Sequence, residues 1–268
     1  AEASIKGKKK EQIIFSTNIC HPSMANNELS GPVLCSALIK YIKKNYRKPN
    51  YSYKFLFLPE TIGPITYLSK NLKSIKKNTI AGFVLSCVGD DRAYSIISSR
   101  LKNTLADHAL SASLIDRKNV KNYSYLERGA DERQFCSPGI DLPVCGFCRS
   151  KYGTYPEYHT DADNFKVLTK EGLLGSFEIM KNIIDSFEQG LYPKVKTLGE
   201  PNLGKRNLYP TLSQKGHIDK SRLKMNLLSY SDGKKSIFEI ANLINKPLDL
   251  INEEISILKE KGLIFSKI

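Results

Sequence analysis

The sequence has no run of 18 or more consecutive apolar residues, and this absence argues against a membrane-spanning helix. Residues 1–6 contain no hydrophobic signal core, so export through a signal peptide is not predicted either. An initiating methionine is also absent, and the chain enters its first apolar run almost at once. We therefore expect this sequence to be an amino-terminally incomplete piece of a longer natural protein.

The dense cysteine spacing of a small secreted, disulfide-linked domain is absent as well. We expect reduced thiols in a cytoplasmic protein. Residues 145–148 have the C-x-x-C spacing, but neither a second pair nor a following helix accompanies them, so we predict no redox motif or zinc knuckle there. The six cysteines are Cys20, Cys35, Cys87, Cys136, Cys145 and Cys148.

Acidic residues are few compared with basic ones: 27 Asp and Glu stand against 41 Lys and Arg, a formal net charge of +14. The lysines form clusters at 8–10, 40–48 and 73–77, spread along the chain. We interpret them as a solvated, lysine-rich surface. Attraction of nucleic acid, of an anionic membrane surface or of an acidic polymer is the alternative that this charge leaves open.

The 268 residues are enough for one sizeable α/β domain and a small additional module. Apolar runs predict strands at 13–19, 53–58, 80–88, 94–97 and 142–147. Helical patterns occur at 31–44, 62–72, 104–115 and 170–188. This alternation predicts an α/β sheet with helices on both faces, in which ligands bind at the carboxyl ends of the strands.

Two of the four histidines lie in loops rich in Asp, Glu, Ser and Gly. His21 follows the first predicted strand, and His159 lies within residues 157–161. Such a composition is typical of a metal or hydrolytic site, although a structural, hydrogen-bonded histidine is the alternative for each. His21, Glu60 and residues 89–91 all follow predicted strands, so we expect them to share one rim of the sheet.

The pattern changes after Gly190, where a turn-rich connector begins. Helical patterns at 220–230, 236–244 and 248–261 then precede a short strand at 262–265, which suggests a winged helix. Ser236 can cap the second of these helices. We therefore divide the chain into an α/β domain, residues 1–205, and a winged-helix module, residues 206–268.

The charges of this module argue against nucleic-acid binding. Residues 217–268 contain nine Lys or Arg against seven Asp or Glu. The helix that would read DNA carries four carboxylates, which phosphates would repel, whereas a nucleic-acid reader concentrates positive charge there. We expect a packing or interaction role instead. The four carboxylates are Asp249, Glu253, Glu254 and Glu260.

Four motifs occur in a distinctive order: STNICHPSMANNELSGP at 16–32, LPETIG at 58–63, DERQFCSPG at 131–139 and YPEYHT at 155–160. Together they closely resemble the aminopeptidase-like domain of bacterial polysaccharide-biosynthesis proteins, a divergent branch of the zinc exopeptidases. The resemblance covers nearly the whole chain. It implies a three-layer αβα sandwich followed by a small winged-helix domain. Members of this family are longer at the amino terminus, which agrees with the expected truncation.

The resemblance to the related zinc aminopeptidases implies that His21 and His159 of this chain are metal ligands and that Glu60 is the general base. Three other positions depart from the family pattern. Asn27 stands where an Asp bridges two metals, Thr61 replaces the second Glu of a pair, and the later Asp falls near Ser86. Two adjacent divalent ions need several anionic ligands, so a full two-metal centre is not expected.

A single zinc ion held by His21 and His159 remains compatible with these residues, with Glu28 or Asp131 as the further ligand. The resemblance also makes Asp131 an active-site-lining residue. Arg133 or Arg149 could anchor an acidic group of the substrate, and an ordinary ion pair is the alternative for each. For Glu60 the alternative role is a capping carboxylate at the following helix.

The leading hypothesis is a metal-dependent hydrolase of aminopeptidase or amidase type. Its substrate would be a small amide-bearing or peptide-like molecule, and the resemblance implies a place in surface-polysaccharide assembly. The competing hypothesis is a non-catalytic binding or scaffold protein that retains the exopeptidase fold with a degenerate metal site. A regulator that contacts nucleic acid through the winged helix is a third, and a homo-oligomer is compatible with all three.

Overall fold

A seven-stranded sheet forms the centre of the fold in the computed structural model, which describes residues 1–208 and 217–267. Its strands are β1 (Glu2–Ile5), β2 (Gln12–Asn18), β3 (Ser52–Leu58), β4 (Thr79–Leu85), β5 (Tyr94–Ile97), β6 (Val120–Tyr123) and β7 (Val144–Cys148). They lie in the order β1-β3-β2-β4-β7-β5-β6. Strands β2, β3, β4 and β7 are parallel, whereas β1 is antiparallel to β3 and β5 is antiparallel to β7.

Helices cover both faces of this sheet. One core cluster joins Leu38 and Ile183 to Phe15 of β2, and a second cluster on the other face joins Leu68 to Ile14. The predicted three-layer αβα arrangement is confirmed. The helices are α1 (Ser30–Asn45), α2 (Ile62–Asn78), α3 (Leu105–Ser113), α4 (Glu132–Phe135) and α5 (Lys170–Gln189).

Strand β2 is buried at each of its seven residues because it lies inside the sheet, with helices on both sides. Ile14 and Phe15 enter different core clusters, since successive side chains of a strand point to opposite faces. The continuous apolar run at the start of the sequence is therefore the pattern of a central parallel strand.

The sequence pattern does not predict β1 or β6, the two edge strands of the sheet. Each has four residues, and neither is fully buried at any position. A short edge strand buries few side chains, so it leaves no apolar run in the sequence. Helix α2, by contrast, continues to Asn78, beyond the predicted end at residue 72, because its lysine-rich last turns contain good helix formers and the buried Ile75.

The carboxyl-terminal part is a helical module with a two-stranded sheet. It contains α6 (His217–Tyr230), α7 (Ile237–Ile244) and α8 (Leu248–Glu260), and β8 (Tyr192–Val195) pairs antiparallel with β9 (Ile264–Lys267). Ser236 caps α7 as predicted, and Glu239 completes the capping box. Residues 209–216 and 268 of the predicted module lie outside the described residues, and the division after residue 205 stays a prediction.

Helix α8 packs against α5 of the larger domain. The Oγ atom of Ser186 donates to Oδ1 of Asn252 at 2.9 Å. Lys224 of α6 forms an ion pair of 3.0 Å with Glu254, and both side chains are at most 10% exposed. The helix that would read DNA is thus extensively used for internal packing. Its buried apolar residues are Leu248, Ile251, Ile255 and Leu258.

No helix in the described ranges is both long and apolar enough to cross a membrane. The six cysteines are not disulfide-bonded to one another. Cys145 and Cys148 lie on β7 and belong to different core clusters, so their sulfur atoms point to opposite faces of the sheet. The C-x-x-C spacing therefore brings no pair of thiols together.

The start of α3 depends on the charge of Asp107. Burial raises the pKa of this carboxyl, but hydrogen bonds from Ser99, Thr104 and Cys145 outweigh burial and hold the pKa below its ordinary value. Because the pKa of Asp107 is lower in the folded than in the unfolded state, the ionised carboxylate stabilises the fold fully at pH values above its unfolded-state pKa. This contribution is lost as the pH falls through the folded-state pKa.

We expect Asp107→Asn to lower the free energy of unfolding at neutral pH by about 1–2 kcal/mol, because a capping acceptor is lost. The difference from the parent protein should shrink as the solution is acidified below the pKa of the unfolded carboxyl. Urea unfolding across this pH range measures it. Asp116→Asn is the matched control, since Asp116 is 44% exposed. Equal losses in both variants would contradict the assignment.

Candidate functional site

Three parallel strands end at one edge of the sheet, and the loops that follow them form the candidate site. His21 follows β2, Glu60 follows β3 and Ser86 follows β4. A π-helical turn, Ala25–Leu29, then leads the chain from His21 into α1. The carboxyl ends of parallel strands meet at a common rim, so these three loops lie side by side.

The two histidine rings meet at this rim. Their centroids are 4.7 Å apart and the ring planes are inclined by 38°. Two imidazoles that each hold a nitrogen about 2.0–2.1 Å from one tetrahedral zinc ion have centroids roughly 5 Å apart. The side chain of His21 is 35% exposed and His159 is exposed, so solvent reaches both. The structure therefore brings together two residues that the sequence predicts as metal ligands.

His159 is held in an uncommon backbone conformation. Its φ of 59° lies in the left-handed region, which residues other than glycine enter at a cost of about 1–3 kcal/mol. The ring of Tyr158 stacks on the imidazole at 3.9 Å, and Arg92 makes two hydrogen bonds to Glu157 at 2.7 and 2.8 Å. These contacts fix the turn that points His159 toward His21.

Glu28 orients His21. Its Oε1 atom lies 3.0 Å from Nδ1 of His21 and accepts a hydrogen bond from Nδ2 of Asn27 at 3.1 Å. Its Oε2 atom accepts from the backbone N–H of Cys20 at 2.9 Å. A histidine that donates through Nδ1 to a carboxylate keeps Nε2 free as an acceptor or ligand. The geometry thus favours an orienting role, and direct ligation by Glu28 stays a prediction.

Cys20 is a potential ligand that the sequence reasoning missed. Its sulfur lies 3.4 Å from Nδ1 of His21, and a sulfur, a nitrogen and an oxygen from Cys20, His21 and Glu28 all lie within 4.8 Å of one another. Among the residues that the structure describes, this is the single group of three or more potential metal ligands. Thiolate, imidazole and carboxylate are the donors that zinc accepts, so the set fits one zinc ion.

The Cys20 thiol responds to the charges around it. Burial raises the pKa of the thiol, and the carboxylates of Glu28 and Glu60 raise it further. A cation among these groups would act in the opposite direction, because it favours the thiolate. The sequence signal was available, since Cys20 directly precedes His21, but that position alone does not show that the sulfur faces Glu28.

Glu60 forms an ion pair with Arg133. Nη2 of Arg133 lies 3.1 Å from Oε1 of Glu60 and also contacts Oγ1 of Thr61. Burial raises the pKa of Glu60, the charge of Arg133 opposes this, and Glu28 raises it again. No side-chain capping bond is present at the start of α2, so Glu60 does not cap that helix through its carboxylate.

Asp131 is fully buried behind Glu60. Its Oδ1 atom accepts from the backbone N–H of Thr61 at 2.9 Å, and its Oδ2 atom has no hydrogen-bond partner within the described part of the chain. Burial raises the pKa of Asp131 to about 7, and the charges of Glu60 and Glu132 contribute. Thr61 has a φ of 64°, so Asp131 holds a strained, β-branched residue at the site.

Asp163 joins the two histidine loops, and the sequence reasoning did not single it out. It is fully buried and accepts from the backbone N–H groups of Asn26 at 2.6 Å and Asn27 at 3.0 Å. The hydroxyl of Tyr155 donates to it at 3.2 Å. Asp163 lies just after His159, and Asn27 directly precedes Glu28, so one carboxylate holds both segments.

A second buried carboxylate, Asp90, anchors the same turn from the β4 loop. Its Oδ2 atom accepts from Nδ2 of Asn26 at 3.1 Å and from the backbone N–H of Ser150 at 2.9 Å. Its Oδ1 atom accepts from Oγ of Ser150 at 2.8 Å. The predicted segment 89–91 therefore reaches the rim through a polar network and not through direct contact with the histidines.

Arg149 is not brought to the histidine pair by any described contact. It is 3% exposed, and its guanidinium donates to the carbonyl oxygens of Ala93 at 2.6 Å and Gly172 at 3.2 Å. The same group lies 3.8 Å from the centroid of the Tyr94 ring. These partners take up Nε and Nη1 of Arg149, and its predicted role toward a substrate stays a prediction without a supporting contact.

The three departures from the two-metal pattern have their own partners. Nδ2 of Asn27 donates to Glu28, and its Oδ1 atom lies 3.4 Å from the sulfur of Cys87. Oγ of Ser86 lies 3.4 Å from the carbonyl oxygen of Asn27. Thr61 contacts Arg133. These neutral groups add no anionic donors, so the described residues do not fit a pair of divalent ions.

Two family models match the chain. One, described as a domain of unknown function (DUF4910), matches residues 1–190, and the other, described as a winged helix-turn-helix, matches residues 190–266. The second match covers α6, α7, α8 and the β8–β9 pair. The carboxyl-terminal module is therefore a winged helix, as the sequence predicts.

A protein of Clostridium acetobutylicum, described as a candidate polysaccharide biosynthesis protein with an aminopeptidase-like domain, is 37% identical over 243 residues. The match covers 90% of this chain and 55% of the relative. A crystal structure of a candidate peptidase from the same organism superimposes with a TM-score of 0.83 at 33% identity, over 98% of this chain and 59% of that chain. The chain thus spans little more than half the length of these relatives.

A zinc aminopeptidase of Bacillus subtilis has the same fold at lower similarity. Its structure superimposes with a TM-score of 0.57 at 17% identity, over 68% of this chain and 48% of that chain. At this identity the likeness concerns the fold alone. It agrees with the exopeptidase-like sandwich that the sequence predicts.

Asp163→Asn tests whether the buried carboxylate joins the histidine loops. The substituted amide would turn an NH₂ group toward a backbone N–H, leaving buried donors without acceptors. We expect a loss of about 1–3 kcal/mol in the free energy of unfolding, measured with urea. Asp161→Asn, at an exposed position of the same segment, should change it by less than about 0.5 kcal/mol. A neutral effect of Asp163→Asn would contradict this role.

Proposed function

The chain belongs to the DUF4910 domain family, and from this premise we propose that it is a metal-dependent hydrolase of aminopeptidase or amidase type. Its substrate would be a small amide-bearing or peptide-like molecule. The observation that carries the proposal is the meeting of His21 and His159, from loops far apart in the sequence, at a centroid distance of 4.7 Å. Histidines that converge at the carboxyl rim of an α/β sheet are typical of a metal site.

His21 and His159 would hold a single zinc ion, with Cys20 or Glu28 as the further ligand. Asp131, the other predicted ligand, has no described contact with either histidine, and its Oδ1 atom is used by Thr61. When bound, a zinc ion supplies Lewis acidity toward an amide carbonyl and toward water. Where Glu28 orients His21 and does not ligate, it would keep the proton on Nδ1 and leave Nε2 free for the ion.

Glu60 would take up the proton that the attacking water loses. Its raised pKa makes it a stronger base than an ordinary carboxylate, and Arg133 keeps it in position. Asp131, with a pKa of about 7, can hold a proton on its unpartnered Oδ2 atom next to Glu60. Two neighbouring carboxyls whose surroundings set different pKa values can divide the roles of base and acid.

The guanidinium of Arg133 is the cation best situated to bind an acidic group of a substrate. Its side chain is 38% exposed, whereas that of Arg149 is buried. The name of the Clostridium relative supports a substrate among the amide-bearing intermediates of surface-polysaccharide assembly. A cytoplasmic location, which the unpaired cysteines favour, is part of the same proposal.

A scaffold or binding protein is the second candidate function. The observation in its favour is Asn27, whose amide donates to Glu28 where the related aminopeptidases have a bridging carboxylate. A donor in that position supports loss of the second metal. Under this reading the rim would bind an amide-bearing molecule without cleaving it.

Under either proposal the winged helix serves packing and not nucleic-acid recognition. Helix α8 uses Asn252, Glu254 and a row of apolar residues against α5 and α6. Its contacts therefore support the prediction that nucleic acid is not the partner. A homo-oligomer remains compatible with the proposal.

Protein purified without added metal should contain about one zinc ion per chain, measured by inductively coupled plasma mass spectrometry. The double variant His21→Ala/His159→Ala should lose this zinc, because both imidazole ligands are removed, while its circular dichroism spectrum is kept. His108→Ala, which alters a histidine of α3, is the control and should retain the ion. Zinc retained by the double variant would refute the ligand assignment, and no zinc in the parent, even after supplementation, would favour the scaffold.

Glu60→Gln should lower kcat/KM toward an aminoacyl amide by about 10²–10⁴-fold with the zinc content unchanged. Burial raises the pKa of Glu60, so the parent rate should rise with pH through a pKa above 4.5, where the carboxylate becomes ionised. The variant should lack this rise. Glu178→Gln, at a side chain that is 56% exposed, is the control. A variant as active as the parent would exclude Glu60 as the base.

A further inference from the structure

A cleft separate from the histidine pair lies between the β5–β6 edge of the sheet and residues 150–156. We call it the lysine cleft. Its volume is about 170 Å³, which is below the roughly 300–1,000 Å³ of pockets that enclose a whole small-molecule ligand. It therefore suits one end of a ligand. Its lining includes Arg92, Lys121, Tyr123, Lys151 and Tyr155.

The lining of the lysine cleft is positively charged. It contains Arg92, Lys121 and Lys151 and no carboxylate. The charge of Arg92 is balanced by Glu157, but neither Lys121 nor Lys151 forms an ion pair with any residue that the structure describes. Two ammonium groups in a concave site raise the local concentration of anions. The cleft thus carries an uncompensated charge of one sign.

Lys151 is held in place without a carboxylate. Its Nζ atom lies 4.3 Å from the ring centroid of Tyr152 and 5.2 Å from that of Tyr123, within the range of cation–π attraction. Tyr123 also lines the cleft. A positioned ammonium group and a tyrosine hydroxyl are both donors that an oxyanion can accept from.

We propose that the lysine cleft binds the phosphate group of a small phosphorylated molecule. Lysine acts as a point charge and suits a phosphate, which offers oxygens in every direction, whereas paired recognition of a carboxylate favours the flat fork of arginine. Arg92, the one arginine in the lining, already donates from both Nη atoms to the carboxylate of Glu157. The volume admits a phosphate and the adjoining part of its carrier.

The cleft shares a segment with the candidate site. Tyr155 lines it, and the Tyr155 ring also packs edge-on against Tyr158, which stacks on His159. An occupied cleft would therefore contact the segment that carries His159. The cleft itself contains neither histidine nor Glu60, so the inference does not depend on the hydrolase proposal.

Isothermal titration of the full chain with inorganic phosphate and with a hexose 1-phosphate tests the proposal at low ionic strength. The charge reversal Lys121→Glu/Lys151→Glu should weaken binding of both probes by roughly ten-fold or more, because two charge-assisted contacts are lost. Lys73→Glu/Lys77→Glu makes the same change of net charge at exposed positions of α2 and should leave binding nearly unchanged. The single variant Lys121→Ala, at an exposed side chain, should fold normally and weaken binding in part.

Tighter binding of the hexose 1-phosphate than of inorganic phosphate would show that the sugar also makes contacts with the protein. Equal binding of the two probes would identify a site for the phosphate alone. Both results support the proposal. Three results would overturn it. These are no saturable binding of either probe, equal weakening by the cleft and α2 variants, and preference for an acidic dipeptide over both phosphates. Zinc content and amide hydrolysis are measured separately, so failure here leaves the hydrolase proposal standing.

Discussion

The candidate site depends on one buried carboxylate that holds two distant loops together. Asp163 accepts hydrogen bonds from the backbone N–H groups of Asn26 and Asn27, so the segment after His159 is fastened to the turn that carries Glu28. Glu28 in turn orients His21. The backbone N–H of Ala25 also donates to the carbonyl oxygen of Asp163 at 2.9 Å, so the β2 loop and the segment after His159 share more than one buried contact.

The distribution of charge is the second constraint. The chain has a formal net charge of +14, yet five carboxylates near the site are at most 4% exposed. Backbone and side-chain donors compensate some of them, and a pKa of about 7 allows Asp131 to carry a proton. At the outward end of this group, a cation bound at the histidine pair would offset the remaining charge. These carboxylates are Glu28, Asp90, Asp131, Glu132 and Asp163.

The winged helix packs closely against the larger domain. Its capping box at Ser236 and its apolar pattern specify the local helices, but the partners of α8 determine what the helix does. Asn252 binds Ser186 of α5, and Glu254 pairs with Lys224. A helix whose polar and apolar groups are used in this way contributes to the stability of the larger domain. The module and the sandwich therefore share one continuous core cluster, which includes Phe187 and Phe238.

The sequence by itself determined the layers of the fold, because buried parallel strands such as β2 and amphipathic helices leave long apolar patterns. It also led to the prediction of His21, Glu60 and His159 as site residues, since polar residues at strand ends and a family motif mark them. Only the tertiary structure decided that Cys20 faces Glu28, that Asp163 is buried, and that Arg149 points into the protein. The short edge strands β1 and β6 were equally hidden. The physical reason is the same for all of these. The burial of a side chain and its partners depend on segments that are distant in the chain, so the local sequence pattern does not predict them.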